Sequence, residues 1–407
     1  MLAILVVNRP TIGDARQRWF DLALAACLAF IALQTVPLPP SIRLALSPRA
    51  AAIDQVLWLD APADPLTGSF RPLSVDTAAT GWAIAVAIAA AAAFWCARDV
   101  FRRNGMRTVA RGIAWLGLAL ASVALLQHVT APAMLYWTWP TVFQAAFTPY
   151  VNKNYFAAWL IMAIPVTAGY IVARLSPGGD GSRVSLDAVA NPTTVWLGVS
   201  ACLMSAALLT TVSRSGLLGA AAGLACFMWL AHGRVGRRGL APLALVVVLA
   251  LGVAVAYANM GALADRITET LEKGGGGRMV IWRETWPMVK DFWLTGVGAG
   301  AYERGMLVYW QHKGLWYVNH AHNEYLQLAA EGGLLLCLLL AGLLVAGIRH
   351  GVRALRRERT QAFWLRVGAL SGVVAIAVQS LWDTGLRMPA NTILFALLAA
   401  ITLHDRD

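Results

Sequence analysis

Charge is what this chain has least of. Asp, Glu, Lys and Arg make up 13% of its 407 residues, whereas 58% are hydrophobic. That balance lies outside the soluble globular range and points to a polytopic membrane protein. The five cysteines, Cys27, Cys96, Cys202, Cys226 and Cys337, include no CxxC pair and fall inside or at the edge of apolar runs. They read as small core residues, which excludes a zinc ribbon or a disulfide framework. No GK[ST] follows the glycines Gly274 to Gly277, so there is no P-loop. The only D-x-D, Asp405 with Asp407, stands at the tail tip, away from the other candidate chemistry, which counts against a metal-nucleotide site. The opening MLAILVV runs into polar Asn8 to Arg18 without a small-residue cleavage site, so no signal peptide is expected. The net charge of +12 comes from arginines clustered between apolar runs. That is a topology signal, and nucleic acid is not an expected partner.

Ten apolar stretches read on hydropathy as spans of a hydrocarbon core of ~30 Å. They are 19 to 36, 78 to 97, 112 to 128, 154 to 173, 194 to 212, 215 to 231, 240 to 258, 333 to 348, 364 to 381 and 390 to 404. The expected fold is an all-α transmembrane helical bundle forming one domain over residues 1 to 407, with short helices in a long outer loop at 259 to 332. Charge alternates between the spans as the positive-inside rule requires. Arg98, Arg102, Arg103, Arg107 and Arg111 stand with one acid, Asp99; Arg234, Arg237 and Arg238 stand with none; Arg349, Arg353, Arg356, Arg357 and Arg359 stand with Glu358. Across the opposite face, residues 259 to 333 carry seven Lys or Arg against eight Asp or Glu. This parity predicts both termini in the cytoplasm and the long loop outside. Several spans contain no ionisable residue, which argues against an ion-coupled transporter and for work done at the outer surface.

The outer face gathers Tyr136, Trp137, Trp139, Trp282, Trp286, Trp293, Trp310 and Trp316, which read mostly as interfacial anchors, with sugar stacking as the other use. The long loop holds most of the candidate chemistry. Arg278 opens a helix candidate, MVIWRETW, with Trp282 one turn later on the same face and Arg283 about 140° round the axis. Pro287 is expected to bend or end that helix. The glycines at 274 to 277 and in GVGAG (Gly296 to Gly300) are permissive enough for the loop to close over a ligand. Arg214, in TTVSRSG, sits where one span ends and the next begins. It is either a snorkelling arginine or a cation fixed at phosphate depth. His322 precedes a helix-like run and is a general-base candidate. Its alternatives are an ordinary loop histidine or a metal site made from His320 and His322 with His312 or Glu324 as a further ligand. Asn152, Lys153 and Asn154 enter the fourth span, with Asn154 as the expected helix cap and Lys153 as a contact for an anionic headgroup.

The blocks VNKNYFAAWL, TVSRSGLLG, GRMVIWRETW followed by GVGAGAY, and HAHNEYLQLAAEGGLLL, in that order between spans, resemble the O-antigen ligase and polymerase superfamily of bacterial envelope membrane enzymes. The resemblance covers residues 150 to 345. It implies an inner-membrane glycosyltransferase that moves a glycan from undecaprenyl pyrophosphate to an acceptor hydroxyl, lipid A core in a ligase, on the periplasmic face, with inversion, no metal and no cofactor. By that match Arg278 and Arg214 hold the pyrophosphate and His322 deprotonates the acceptor. Asn152, Lys153, Asn154, Arg283 and Asn323 are the accompanying substrate-binding candidates. A polysaccharide polymerase, with a growing chain as acceptor, shares the same donor chemistry. A polysaccharide or lipid transporter is the reading from another class.

Overall fold

The computed structural model describes residues 18–57, 69–140, 149–176, 186–232, 234, 276–312 and 317–404. The expected seventh span, 240 to 258, lies outside the described residues, as do Gly274, Gly275, Trp316, Asp405 and Asp407. In chain order the helices are α1 (Arg18–Leu33), α2 (Pro40–Leu46), α3 (Ala50–Leu57), α4 (Thr77–Arg102), α5 (Met106–Thr130), α6 (Lys153–Leu175) and α7 (Leu186–Ala190). They continue as α8 (Pro192–Thr210), α9 (Arg214–His232), α10 (Gly276–Asp291), α11 (Tyr302–Tyr309), α12 (Glu324–Arg357), α13 (Ala362–Gln379) and α14 (Pro389–Leu403). A small hairpin, β1 (Met134–Leu135) with β2 (Trp139–Pro140), lies between α5 and α6, and a 3-10 turn, Gly385–Arg387, precedes α14. The fold is the polytopic helical bundle expected from the sequence. Seven helices, α4, α5, α6, α8, α9, α12 and α13, are long and apolar enough to cross a membrane. Two more expected spans fall on shorter helices, α1 with 16 residues and α14 with 15.

Ala- and Leu-rich runs favour helix, and in a bilayer a helix satisfies its own backbone polar groups. Side-chain caps mark where several begin. Asp76 accepts from the Ala79 N–H, Asn191 from Thr193 and Asn323 from Leu326. At α6 the cap is Asn152, which accepts from the Asn154 N–H at 2.8 Å; the expected cap, Asn154, is already inside the helix. Pro287 does not end α10, which runs on to Asp291. Its missing N–H removes one helical bond, while Met288 and Phe292, packed in a buried cluster with Tyr302 and Met306, hold the last turn in place.

Helices α6 and α13 form the buried centre of the bundle, and α9 packs on α13. Without a hydrophobic force between helices in lipid, such packing depends on close backbone approach. Gly368 of α13 meets α6 so closely that a Cβ there would stand 2.3 Å from the Pro165 carbonyl oxygen.

The two ends of the bundle differ in charge. At one end Arg98 pairs with Asp21 at 2.6 Å, Arg366 with Glu358 at 3.4 Å, and Arg234 donates to the Glu358 carbonyl with its guanidinium over the Phe363 ring. Helices α4 and α5 outrun their apolar stretches and carry Arg98, Arg102, Arg107 and Arg111 into this end. The opposite end holds the hairpin, α10, α11 and the start of α12.

That end is fastened by a backbone joint. Helix α12 is interrupted at Gly333, whose φ of +59° is left-handed. The broken bonds are replaced from outside the helix: Leu334 and Leu335 donate to the carbonyls of Trp293 and Leu294, while Val297 and Gly298 donate to those of Ala330 and Glu331. Gln34, fully buried, ties in a third strand of chain through Thr295, Ala299 and Glu331. The GVGAG glycines are therefore clamped, contrary to the expectation that they free the loop. Gly296 has φ +71°, and a Cβ there would lie 2.2 Å from the Glu331 carbonyl carbon.

Gly296→Ala and Gly333→Ala should each destabilise the protein by about 2 kcal/mol or more, through left-handed strain and backbone overlap. Gly277→Ala, where open space surrounds the added Cβ, should be neutral or stabilising. Thermal unfolding of the three variants in one detergent checks the ordering.

Candidate functional site

Three segments meet at the end opposite the basic one: the first turns of α10, the 318–323 segment leading into α12, and the 380–387 connection between α13 and α14. His322 is held through both of its neighbours. Ala321 donates its N–H to Gln327 Oε1 at 2.9 Å, and its carbonyl accepts from Trp282 Nε1 at 2.8 Å. Asn323 is committed as the cap of α12, accepting from Leu326 N–H at 3.0 Å. His322 itself has φ +49°, a left-handed conformation that histidine tolerates better than most residues. With the backbone fixed this way, its imidazole, 32% exposed, faces Asp383.

Asp383 is completely buried. Its Oδ1 accepts from the Thr384 N–H at 2.9 Å and lies 3.9 Å from His322 Nδ1, which makes no hydrogen bond. Its Oδ2 lies 3.4 Å from a terminal nitrogen of Arg278. A buried carboxylate needs such partners, because isolated burial of a charge is strongly unfavourable. Burial pushes the Arg278 guanidinium below its ordinary value; Asp383 pulls it back up, and Arg214 pushes it further down. Arg214, exposed at the start of α9, is thus within electrostatic reach of Arg278. The forked N–H groups of guanidinium suit phosphate oxygens.

The remaining sequence candidates are placed differently. Lys153 is half-buried in the first turn of α6, and the Asn154 carbonyl accepts from Gln379 Nε2 at 3.2 Å, tying α6 to the end of α13. Arg283 is exposed on another face of α10 from Arg278. Trp282, expected as an interfacial anchor, instead bonds α10 to the histidine segment, while Trp286 and Trp293 stay exposed. His312 turns to Glu284 at 2.7 Å and His320 to Gln327 at 3.3 Å. Among the described residues no group of three or more His, Cys, Asp or Glu has the geometry to hold a metal.

A second charged cluster adjoins the first. Arg387, in the 3-10 turn four residues after Asp383, donates Nε to Glu324 at 2.8 Å and Nη1 to Glu331. Glu331 also accepts from Gln327 and from the Gly300 N–H. The two acids, seven apart on the first two turns of α12, share one face, so a single arginine fixes the Asp383 segment to the helix that follows His322. The two acids hold the Arg387 guanidinium above its ordinary value against the opposing effect of burial. Asp383, Arg387 and Glu331 escaped the sequence reading, and Glu324 entered it only as a possible metal ligand. The available signal was a short outer connection, LWDTGLR, carrying one acid and one base between two charge-poor spans.

Residues 199–341 match a family model described as O-antigen ligase. That match, over about a third of the chain, supports the O-antigen ligase superfamily. The match takes in Arg214, Arg278 and His322 but stops short of Asp383 and Arg387. No curated protein matches the chain.

Burial lowers the His320 pKa from 6.5 to about 4, with Arg387 adding to the effect. The fold thus favours neutral imidazole: the stability this group contributes is present above pH 6.5 and lost as pH falls from there toward 4. Unfolding temperature should therefore drop between pH 7 and pH 4, and His320→Gln should make that drop shallower.

Proposed function

We propose that this protein belongs to the O-antigen ligase superfamily and is a glycosyltransferase that moves a glycan from undecaprenyl pyrophosphate to an acceptor hydroxyl of lipid A core. The observation that carries the reading is the fully buried Asp383 between His322 and Arg278, with Arg214 in reach. The Arg278 and Arg214 forks hold the diphosphate. His322, its Nδ1 turned to Asp383, offers Nε2 to the acceptor. As the acceptor oxygen bonds to the anomeric carbon from the face opposite the diphosphate, its proton passes to Nε2. The carbon–oxygen bond to the diphosphate breaks and its electron pair leaves with the phosphate oxygen, so configuration inverts. Asp383 stabilises the imidazolium that forms, and the arginines stabilise the charge on the leaving group. No metal enters these steps.

The positive-inside rule assigns the Arg-rich end to the cytoplasm, with both termini. The site then lies on the periplasmic face of the inner membrane, beyond the reach of cytoplasmic nucleotide sugars. A lipid-linked, preactivated donor suits that location. The named ion pairs lie near helix ends, which favours surface chemistry over transport through the bundle.

The test is a reconstituted transfer assay with an undecaprenyl pyrophosphate glycan, offering lipid A core and a second lipid-linked glycan in parallel. Glycan on lipid A core is the expected product; lengthening of the lipid-linked glycan would instead identify a polymerase. His322→Ala should lower turnover by about 10²–10⁴-fold and Asp383→Asn by at least ~10-fold. Arg278→Lys keeps the charge and loses the fork, so donor KM should rise. Full activity in His322→Ala would refute the base assignment.

A further inference from the structure

His322 carries its imidazole on strained backbone, with φ at +49°. A residue other than glycine held in the left-handed region costs on the order of 1 kcal/mol or more and persists only where its surroundings over-determine it. The distance to Asp383 makes that placement sensitive. His322 Nδ1 lies 3.9 Å from Asp383 Oδ1, just beyond hydrogen-bond range, so a shift of under about 1 Å decides whether the two bond.

The restraint falls on the residue before it. Ala321 is fully buried; its N–H donates to Gln327 Oε1 at 2.9 Å and its carbonyl accepts from Trp282 Nε1 at 2.8 Å. That carbonyl belongs to the planar peptide unit ending at the His322 Cα, so a bond to it fixes the direction from which the ring is presented.

Both partners sit on helices that carry other parts of the site. Trp282 follows Arg278 by one turn of α10. Gln327, buried one turn into α12, uses its whole amide: Nε2 donates to Glu331 Oε1 at 2.9 Å and lies 3.3 Å from His320 Nδ1. Glu331 is held in turn by Arg387, four residues after Asp383. One polar chain thus runs from the Ala321 N–H to the segment bearing Asp383. An amide suits the middle of that chain because it accepts at one end and donates at the other, whereas a carboxylate there would face Glu331.

We propose that Trp282 and Gln327 are positioning residues for the base: they grip the Ala321–His322 peptide from two sides and keep the imidazole aimed at Asp383. The proposal rests on the glycosyltransferase reading above, in which His322 takes the acceptor proton, and adds the residues that aim it.

The experiment uses the full-length reconstituted enzyme, an undecaprenyl pyrophosphate glycan as donor, and whichever acceptor wild type glycosylates, lipid A core or a second lipid-linked glycan. Trp282→Phe keeps an aromatic ring and removes the N–H; Gln327→Met keeps the length and removes both polar ends. Each should lower kcat about tenfold or more, with KM for donor and acceptor unchanged. The decisive measurement repeats both substitutions in Asp383→Asn enzyme. With no carboxylate to aim at, the further loss should shrink to about twofold or less. Trp286→Phe, one turn further along α10 and exposed, is the control and should leave kcat unchanged. If one substitution prevents folding, the other carries the same test from the opposite side of Ala321. Unchanged kcat, a rise in KM in place of a fall in kcat, or an equal loss in both Asp383 backgrounds would overturn the positioning role alone. Full activity in His322→Ala, or wild type inert on both acceptors, would overturn the parent reading and the positioning role with it.

Discussion

A carboxylate sealed from water is the constraint on which the outer end of this molecule depends. Burying one ion without partners costs several kcal/mol even after relaxation, so Asp383, fully buried, requires cations and donors brought to it. Arg278 comes from α10, His322 from the approach to α12, and the Thr384 N–H from the connection itself. Each arrives on a different segment. The architecture of that end is the means of making these segments converge.

Convergence is secured by backbone as much as by side chains. The carbonyls of Trp293 and Leu294 replace helical partners lost at Gly333, and the returning N–H groups of Val297 and Gly298 close the joint. Because backbone groups leave little choice of geometry, the joint sets the path of the chain into α12 and so the height of His322. Arg387 does the same for the Asp383 segment by spanning Glu324 and Glu331. Chain positions that look permissive in a one-dimensional reading, GVGAG above all, are here the most restricted.

How much was legible in the sequence follows from which forces are local. Span positions were readable because hydropathy is a property of contiguous residues, and nine of the ten expected spans fall on described helices. Arg278, Arg214 and His322 stood out by motif. Asp383 and Arg387 did not, since their role comes from partners about 60 to 105 residues away. The helix-like run after His322 was legible too, but not its union with the apolar span at 333: Asn323 caps residues 324–332 into α12, and the 293–294 carbonyls carry the chain across the break. At α6 the sequence pointed to Asn154 as the cap although Asn152, two residues earlier, suits the role equally, and only the Asn152 Oδ1 contact to the Asn154 N–H decides it.

The burial asymmetry of the charged groups also bears on ionic strength. Mobile ions screen exposed charges over roughly 8–10 Å but penetrate little among buried ones. Arg214 is exposed and Arg278 partly so, whereas Asp383, Glu324 and Glu331 are buried. Added salt therefore weakens the pull of Arg214 and Arg278 on anions while leaving Asp383, Glu324 and Glu331 almost untouched, so neighbouring charges answer differently to the electrolyte around them.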